Sequence, residues 1–300
     1  MRPIHLLRPA LALWLALPGP AATLVLKRKF VEEYKNRATI EVSFTIEHAK
    51  KSVNTIGKGG EDGDLHVAGR APKVGLPMVA EVVNAKGQQS ALGVIRKAEG
   101  TEQPIPLAGV WRIWFEHPGK QDHIQGQPVP AAHNTNPDHV FEIHPITRVG
   151  DVSAAGSFVP ITGYKAYGVD DAFARYEELK ATIRATKTAV TIDAKMAGYN
   201  YAEFGIEISG APKKFDDCTM ALATVLDNSG DPAFAALRRM VFLKGMAKES
   251  LIKKGAQLRV LGIPRVNLER LAFLIADKEG QTLADVPLPY EMIIVGIVSP

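Results

Sequence analysis

The chain has 300 residues, 46% of them hydrophobic and 23% charged, the composition of a globular protein with real cores and, by length, two domains of ordinary size. The formal charge is only +4, and Arg2 and Arg8 supply half of it, so the rest of the chain lacks the positive field of a protein built to hold phosphate backbones. The lone cysteine, Cys218, excludes an intramolecular disulfide and any Cys-x-x-Cys zinc site; in its apolar run it reads as a small core residue.

Residues 1–22 combine a basic start, the apolar stretch Ala-Leu-Ala-Leu-Trp-Leu-Ala-Leu, and small residues after the helix-breaking Pro18. That layout predicts a signal peptide, and hence a periplasmic or secreted mature chain. The stretch is too short, and too interrupted by Pro18 and Pro20, for a comfortable membrane span, so no transmembrane segment is expected in the mature chain. Lys27, Arg28 and Lys29 point the other way, because positive charge just behind an apolar segment resists translocation. An uncleaved membrane anchor and a cytoplasmic protein are the alternatives.

A first domain is expected over 34–150. Ile40, Val42, Phe44 and Ile46 alternate with Glu41, Ser43 and Thr45 in a first strand at 37–48. Strands follow at 64–70 and 77–84, then a weak helix near 88–98, a fourth strand at 105–115, a polar loop at 116–138 and a fifth strand at 139–148. Residues 151–168, rich in Gly, Ala and Ser, read as a linker. In 169–300 a helix opens at Asp170, with Phe173, Tyr176, Leu179 and Ile183 on one face. Strands are expected at 189–196, 201–208 and 219–226. A helix then opens at Asp231-Pro232 with Phe234, Leu237 and Val241 inward, before a fourth strand at 257–275 and a fifth at 290–298.

Strand, strand, strand, helix, strand, strand is the order of the OB fold. The expectation is a mainly β protein of two tandem OB-like five-stranded barrels, each with a helix between its third and fourth strands. One large mixed α/β domain is the alternative. Matching segments support a repeat: Gly109-Val110-Trp111-Arg112 with Gly262-Ile263-Pro264-Arg265, and the Met-led third strands at Met78 and Met220.

Side chains alternate faces along a strand, so the apolar set fixes which polar residues turn away from a core. With Leu65, Val67, Met78, Ala80, Val82, Phe141 and Ile143 inward, the residues Asp64, His66, Glu81, Glu142 and His144 turn outward on neighbouring strands. They would share one patch on or beside the face where OB domains receive ligand. Imidazole and carboxylate suit zinc or manganese, with His66, Glu81 and His144 as the ligands. Alternatively the groups divide general acid and base work, with Asp64 or Glu142 as the base. A surface for a polar ligand, glycan or protein partner is another reading. An inert solvated face is the remaining one, since outward positions of antiparallel strands are generally polar. Two loops, at 59–63 and at Glu116-His117-Pro118 with Asp122-His123, would close over the patch.

Of the fourth-strand aromatics only Trp114 turns outward, and an acidic patch repels phosphate unless a cation bridges it; both argue against nucleic acid without metal. The last strand of the second half, Met292-Ile293-Ile294-Val295-Gly296-Ile297, is apolar on both faces and offers no counterpart of Glu142 or His144. Such a strand needs cover on both sides, from the helix at 170–186 or from a second subunit, so the second domain reads as scaffold or dimer interface.

The pattern Asp62-Gly63-Asp64-Leu65-His66-Val67, Met78-Val79-Ala80-Glu81 and Asn136-Pro137-Asp138-His139-Val140-Phe141-Glu142-Ile143-His144-Pro145 resembles a set of small bacterial exported proteins. These share Asp-x-His, Ala-Glu and Glu-Leu/Ile-His-Pro segments and carry no assigned activity. The resemblance covers about residues 60 to 147 and implies an OB-like fold and export rather than a reaction. Two functions follow: an exported, non-catalytic OB-type binding protein of the bacterial cell envelope, or a metal-dependent hydrolase of phosphodiesters with its site on the first barrel.

Overall fold

The computed structural model describes residues 22–57, 61–155 and 163–300. Apart from Ala22, the expected signal peptide lies outside them. Ala22 already belongs to the fold, as the first residue of β1 (Ala22–Lys27), and α1 (Arg28–Tyr34) follows directly.

The first barrel consists of β2 (Thr39–Ala49), β3 (Leu65–Arg70), β4 (Met78–Val82), β5 (Ile105–His117) and β7 (His139–Val149). The short β6 (His123–Ile124) lies in the loop between the last two, and α2 (Gln89–Ala98) connects β4 to β5. In β2 the expected alternation holds: Ile40, Val42, Phe44 and Ile46 are buried while Glu41 and Ser43 are exposed. Strands pair in the closed order β2-β3-β4-β7-β5-β2, antiparallel except for the parallel β4–β7 pair. That is the OB connectivity. Gly109 marks the bend of β5 against β7, where a Cβ would sit 2.4 Å from Ile143 Cγ2 and 2.5 Å from the Pro145 carbonyl oxygen. The edge strand β8 (Val152–Ser153) pairs with β7.

The second half opens with α3 (Val169–Glu178), β9 (Lys180–Ala185) and β10 (Ala189–Ala194). Its barrel comprises β11 (Ala202–Ile208), β13 (Cys218–Leu226), β14 (Arg238–Leu243), β15 (Gln257–Val266) and β17 (Tyr290–Ser299). Its other elements are β12 (Lys213–Lys214), α4 (Leu268–Leu274) and β16 (Thr282–Pro287). The order β11-β13-β14-β17-β15-β11, with only β14–β17 parallel, repeats the first barrel.

Several elements of the second half differ from the sequence expectation. The helix at Asp170 stops at Glu178, because from Lys180 the burial pattern changes period: Ala181, Ile183 and Ala185 are buried and alternate with Lys180, Thr182 and Arg184. The expected barrel strand at 189–196 is β10, which lies in a separate sheet. The expected helix at Asp231-Pro232 is absent among the described residues. Met240, Val241, Phe242 and Leu243 are all buried, and such a run is a strand covered on both faces, here β14. A single 3-10 turn, Glu249–Leu251, occupies the place between the third and fourth strands. The fourth strand ends at Val266, because Asn267 caps α4 by accepting a hydrogen bond from Arg270 N–H at 2.8 Å.

A third sheet, not anticipated from the sequence, runs in the order β16-β9-β10-β1-β6 and draws on both halves of the chain. The barrels themselves meet through their fourth strands, β5 and β15. A second apolar cluster fills this contact: Ala38 and Val110 of the first half lie with Tyr201, Cys218, Met220, Val241, Leu261, Ile263, Ile293 and Val295. The outer apolar face of β17 is therefore covered from within the chain, and the sequence argument for a second subunit on it falls away. Among the described residues no helix is long and apolar enough to cross a membrane.

Candidate functional site

The turn Asp62-Gly63-Asp64 is pinned by backbone hydrogen bonds. Asn84 N–H donates to Asp62 O at 3.1 Å, Ala85 N–H to Gly63 O at 2.8 Å, and Asn54 N–H to Asp64 O at 2.9 Å. Gly63, at φ +69°, supplies the left-handed step that sends the two aspartates toward the same region. The ladder does the rest. His66 pairs with Glu81 across β3–β4, and the β4–β7 register, Val79 with Glu142 and Ala80 with Ile143, brings Glu81 beside His144.

All five residues singled out in the sequence converge. His66 Nε2 lies 2.6 Å from Asp64 Oδ2 and 3.5 Å from Glu81 Oε1. His144 Nδ1 lies 3.0 Å from Glu81 Oε2 and 3.5 Å from Glu142 Oε2. They do not form an open patch, however. Asp64, Glu81, Glu142 and His144 are buried, and only the His66 side chain, 18% exposed, reaches an edge. The reason is the packing of the two barrels, which places Tyr201 and β15 over this face.

Five further residues complete the arrangement. Asp62 Oδ2 and the Tyr201 hydroxyl lie 3.4 and 3.0 Å from His144 Nε2, so an Nε2–H there is held in place. Arg112, fully buried, donates to Glu142 at 2.5 Å and to Glu116 at 3.1 Å. His139 Nε2 lies 3.2 Å from the other Glu142 oxygen. Of the loops expected to close over the site, Glu116 takes part through Arg112. His123 instead sits in β6, with its Nε2 2.7 Å from the Pro118 carbonyl. Asp62 and Arg112 were visible as an Asp-Gly-Asp turn and an outward position on β5; nothing in the local sequence marks Tyr201. Trp114, the one outward aromatic of β5, is buried edge-on against Tyr176 and Tyr290 and offers no stacking platform.

The electrostatics follow from burial and crowding. Burial works against charging His66, but Glu81 and Asp64 outweigh it and push the imidazole up to about 9. His144 moves well upward for the same reason, through Glu81, Tyr201, Asp62 and Glu142 acting against its burial. Burial would raise Asp64, yet His66 and Asn54 hold it at about 2. Asp62 rises to about 6 by burial, in spite of His144. Glu142 stays well below the usual carboxylate range, because Arg112, with His139 and His144, overcomes its burial. Asp62 Oδ1 is buried and makes no hydrogen bond among the described residues, while Asp64 Oδ2 and His144 Nδ1 meet only their ion-pair partners, His66 and the carboxylates of Glu81 and Glu142, off hydrogen-bond geometry.

The second barrel provides an internal comparison. Arg265 pairs with Glu291 as Arg112 pairs with Glu142, so Glu142 does have a counterpart, contrary to the sequence expectation. The two arginines exchange bonds across the barrel contact: Arg112 Nε–H donates to Pro264 O at 3.0 Å, and Arg265 Nη1–H to Trp111 O at 3.1 Å. With that alignment the register places Cys218, Met220, Val241 and Ile293 where the first barrel has Asp64, His66, Glu81 and His144. All four belong to the apolar cluster between the barrels. One barrel thus packs this face with apolar side chains, and the other fills the same positions with acids and imidazoles.

No family model matches the chain, and no curated protein matches it. Among solved structures, a murine DNA-binding protein bound to double-stranded DNA aligns over 87% of this chain and 99% of that one. The identity is 10% and the TM-score 0.19, too low to support an argument about fold or ligand.

Proposed function

We propose that the protein is a divalent-metal protein whose first barrel holds zinc or manganese through His66, Glu81 and His144, with Asp64 and Glu142 beside them, and that the metal serves hydrolysis of phosphodiesters. The contrast between the barrels carries this reading. Burying ions is expensive unless they are well compensated, and apolar residues at the equivalent positions of the second barrel meet the same packing need. A ligand that rewards the charged set accounts for the difference.

The donor set fits. Imidazole and carboxylate are the ligands of zinc and manganese, and His144 has the usual support of a metal-bound histidine: one nitrogen held by Asp62 and Tyr201, the other turned toward Glu81 and Glu142. With neutral imidazoles, four carboxylates (Asp62, Asp64, Glu81 and Glu142) outweigh the one Arg112 guanidinium, which favours a cation. The His66 edge is where water or a phosphoryl oxygen would meet the metal. A bound metal would acidify that water and polarise the phosphoryl group.

Burial weakens the alternative of a broad platform for a glycan or protein, because any ligand must approach through the His66 edge. Work outside the cytoplasm, in the periplasm or beyond, is part of the proposal and rests on the N-terminal pattern alone. The test is hydrolysis of bis(4-nitrophenyl) phosphate with zinc or manganese added. Activity should vanish with chelator and fall at least about tenfold in His66→Ala. If the variant is as active as wild type, or metal binds and no turnover follows, the hydrolytic reading is wrong.

A further inference from the structure

Glu81 belongs to both ends of the cluster. Asp64, His66 and Glu81 offer ligand atoms all within 4.8 Å of one another, and Glu81, Glu142 and His144 do the same. The two oxygens of Glu81 face opposite neighbours: Oε1 toward His66 Nε2 at 3.5 Å, Oε2 toward His144 Nδ1 at 3.0 Å. A carboxylate placed in this way can bind one cation on each oxygen. Each end also contains a buried ligand atom whose close contact is an ion pair set off hydrogen-bond geometry, Asp64 Oδ2 with His66 at one and His144 Nδ1 with Glu81 at the other.

We infer that the site holds two divalent metal ions bridged by Glu81, the outer one on Asp64 and His66 and the inner one on His144 and Glu142. This rests on the metal reading above and extends it. Charge agrees with two ions better than with one. The carboxylates of Asp62, Asp64, Glu81 and Glu142 match two divalent cations, and Arg112 is matched by Glu116, its second carboxylate partner. One ion would leave two carboxylates uncompensated in a buried site once the imidazoles were neutral. Paired ions about 3.5–4 Å apart are the common arrangement for phosphoester cleavage, since they stabilise both the attacking and the leaving oxygen.

The two positions differ in access. The outer ion would sit at the partly exposed His66 edge, whereas the inner one lies beneath Tyr201, itself buried, and next to an Arg112-bound Glu142. The outer ion is therefore the exchangeable one, and Glu142 is a positioning residue as much as a ligand.

The experiment is equilibrium dialysis of the chelator-stripped full chain against zinc alone or manganese alone. Bound metal is counted by mass spectrometry, and the manganese form is examined by electron paramagnetic resonance. Wild type should bind two ions per chain, and its manganese spectrum should show exchange coupling in place of the isolated-ion pattern. His66→Ala, at the partly exposed edge, should keep one ion and show the isolated-ion pattern, with circular dichroism reporting that it is folded. Glu81→Gln should lose the coupling and at least one ion, with circular dichroism reporting that it is folded. One ion per chain in wild type overturns the two-metal inference and leaves the metal reading standing. None overturns both.

Discussion

The comparison between barrels can be tested by making the first like the second. The variant Asp64→Cys, His66→Met, Glu81→Val and His144→Ile places on the first barrel the residue types that the second carries at Cys218, Met220, Val241 and Ile293. Replacing a buried ionic network with packed apolar residues is usually neutral or stabilising by about 1–4 kcal/mol. Removing one member is not: His144→Ile alone strands Glu81 and Asp62 without their buried counter-ion and should cost about 3–5 kcal/mol. Asp62, which burial already pushes up to about 6, becomes neutral in the fourfold variant by taking a proton. Urea unfolding in chelator, followed by the fluorescence of the buried Trp111 and Trp114, measures both. The fourfold variant should be at least as stable as metal-free wild type and far more stable than the single one. Adding metal at about 100 times its Kd should stabilise wild type by about 2.7 kcal/mol and leave the variant unmoved. A fourfold variant that loses as much stability as the single changes combined would show that the cluster is structural, and the reasoning from the second barrel would fail.

Four other outcomes are expected. Metal must displace the proton that His66 holds below about 9, so apparent affinity should rise by about tenfold per pH unit for each proton displaced, and level off above that pH; affinity independent of pH from 6 to 8 would contradict this. In the metal-free protein the sign reverses: a raised His66 stabilises the fold fully below its ordinary value of 6.5, and thermal melting should show that contribution fading as pH climbs through about 9. The thiol of Cys218, pushed up to about 12 by burial and Asp217, should resist Ellman's reagent at pH 8 until the protein unfolds, and rapid native labelling would show that its site is open. Arg112→Met should destabilise by about 3–5 kcal/mol by stranding Glu142, and Glu142→Gln in the same chain should restore part of the loss in denaturant titrations.

The barrels were legible because alternation is strong where a strand has one wet face, as in β2. The site was legible for a related reason: Asp64, His66, Glu81, Glu142 and His144 interrupt the apolar rhythm at outward positions, and the OB strand order makes those positions neighbours. Their burial was not legible, because it depends on the second barrel docking through Arg112 and Arg265, a contact between residues 152 or more apart in sequence. β14 was misread for the opposite reason to β2. A strand covered on both faces has no alternation, and Phe234, Leu237 and Val241 happen to match a helical spacing. The third sheet escaped notice because its strands come from far-separated segments, among them β1, a short strand directly behind the expected signal peptide.

The central claim, that the acids and imidazoles of the first barrel bind divalent metal, is tested most directly by an anomalous difference map at the zinc edge from crystals grown with zinc. The account predicts density within about 2.0–2.2 Å of Glu81 oxygens and of His66 Nε2 or His144 Nδ1, at full or nearly full occupancy. A clean map without density there, with His144 Nδ1 donating instead to Glu81, would identify the cluster as a buried salt bridge and contradict the account.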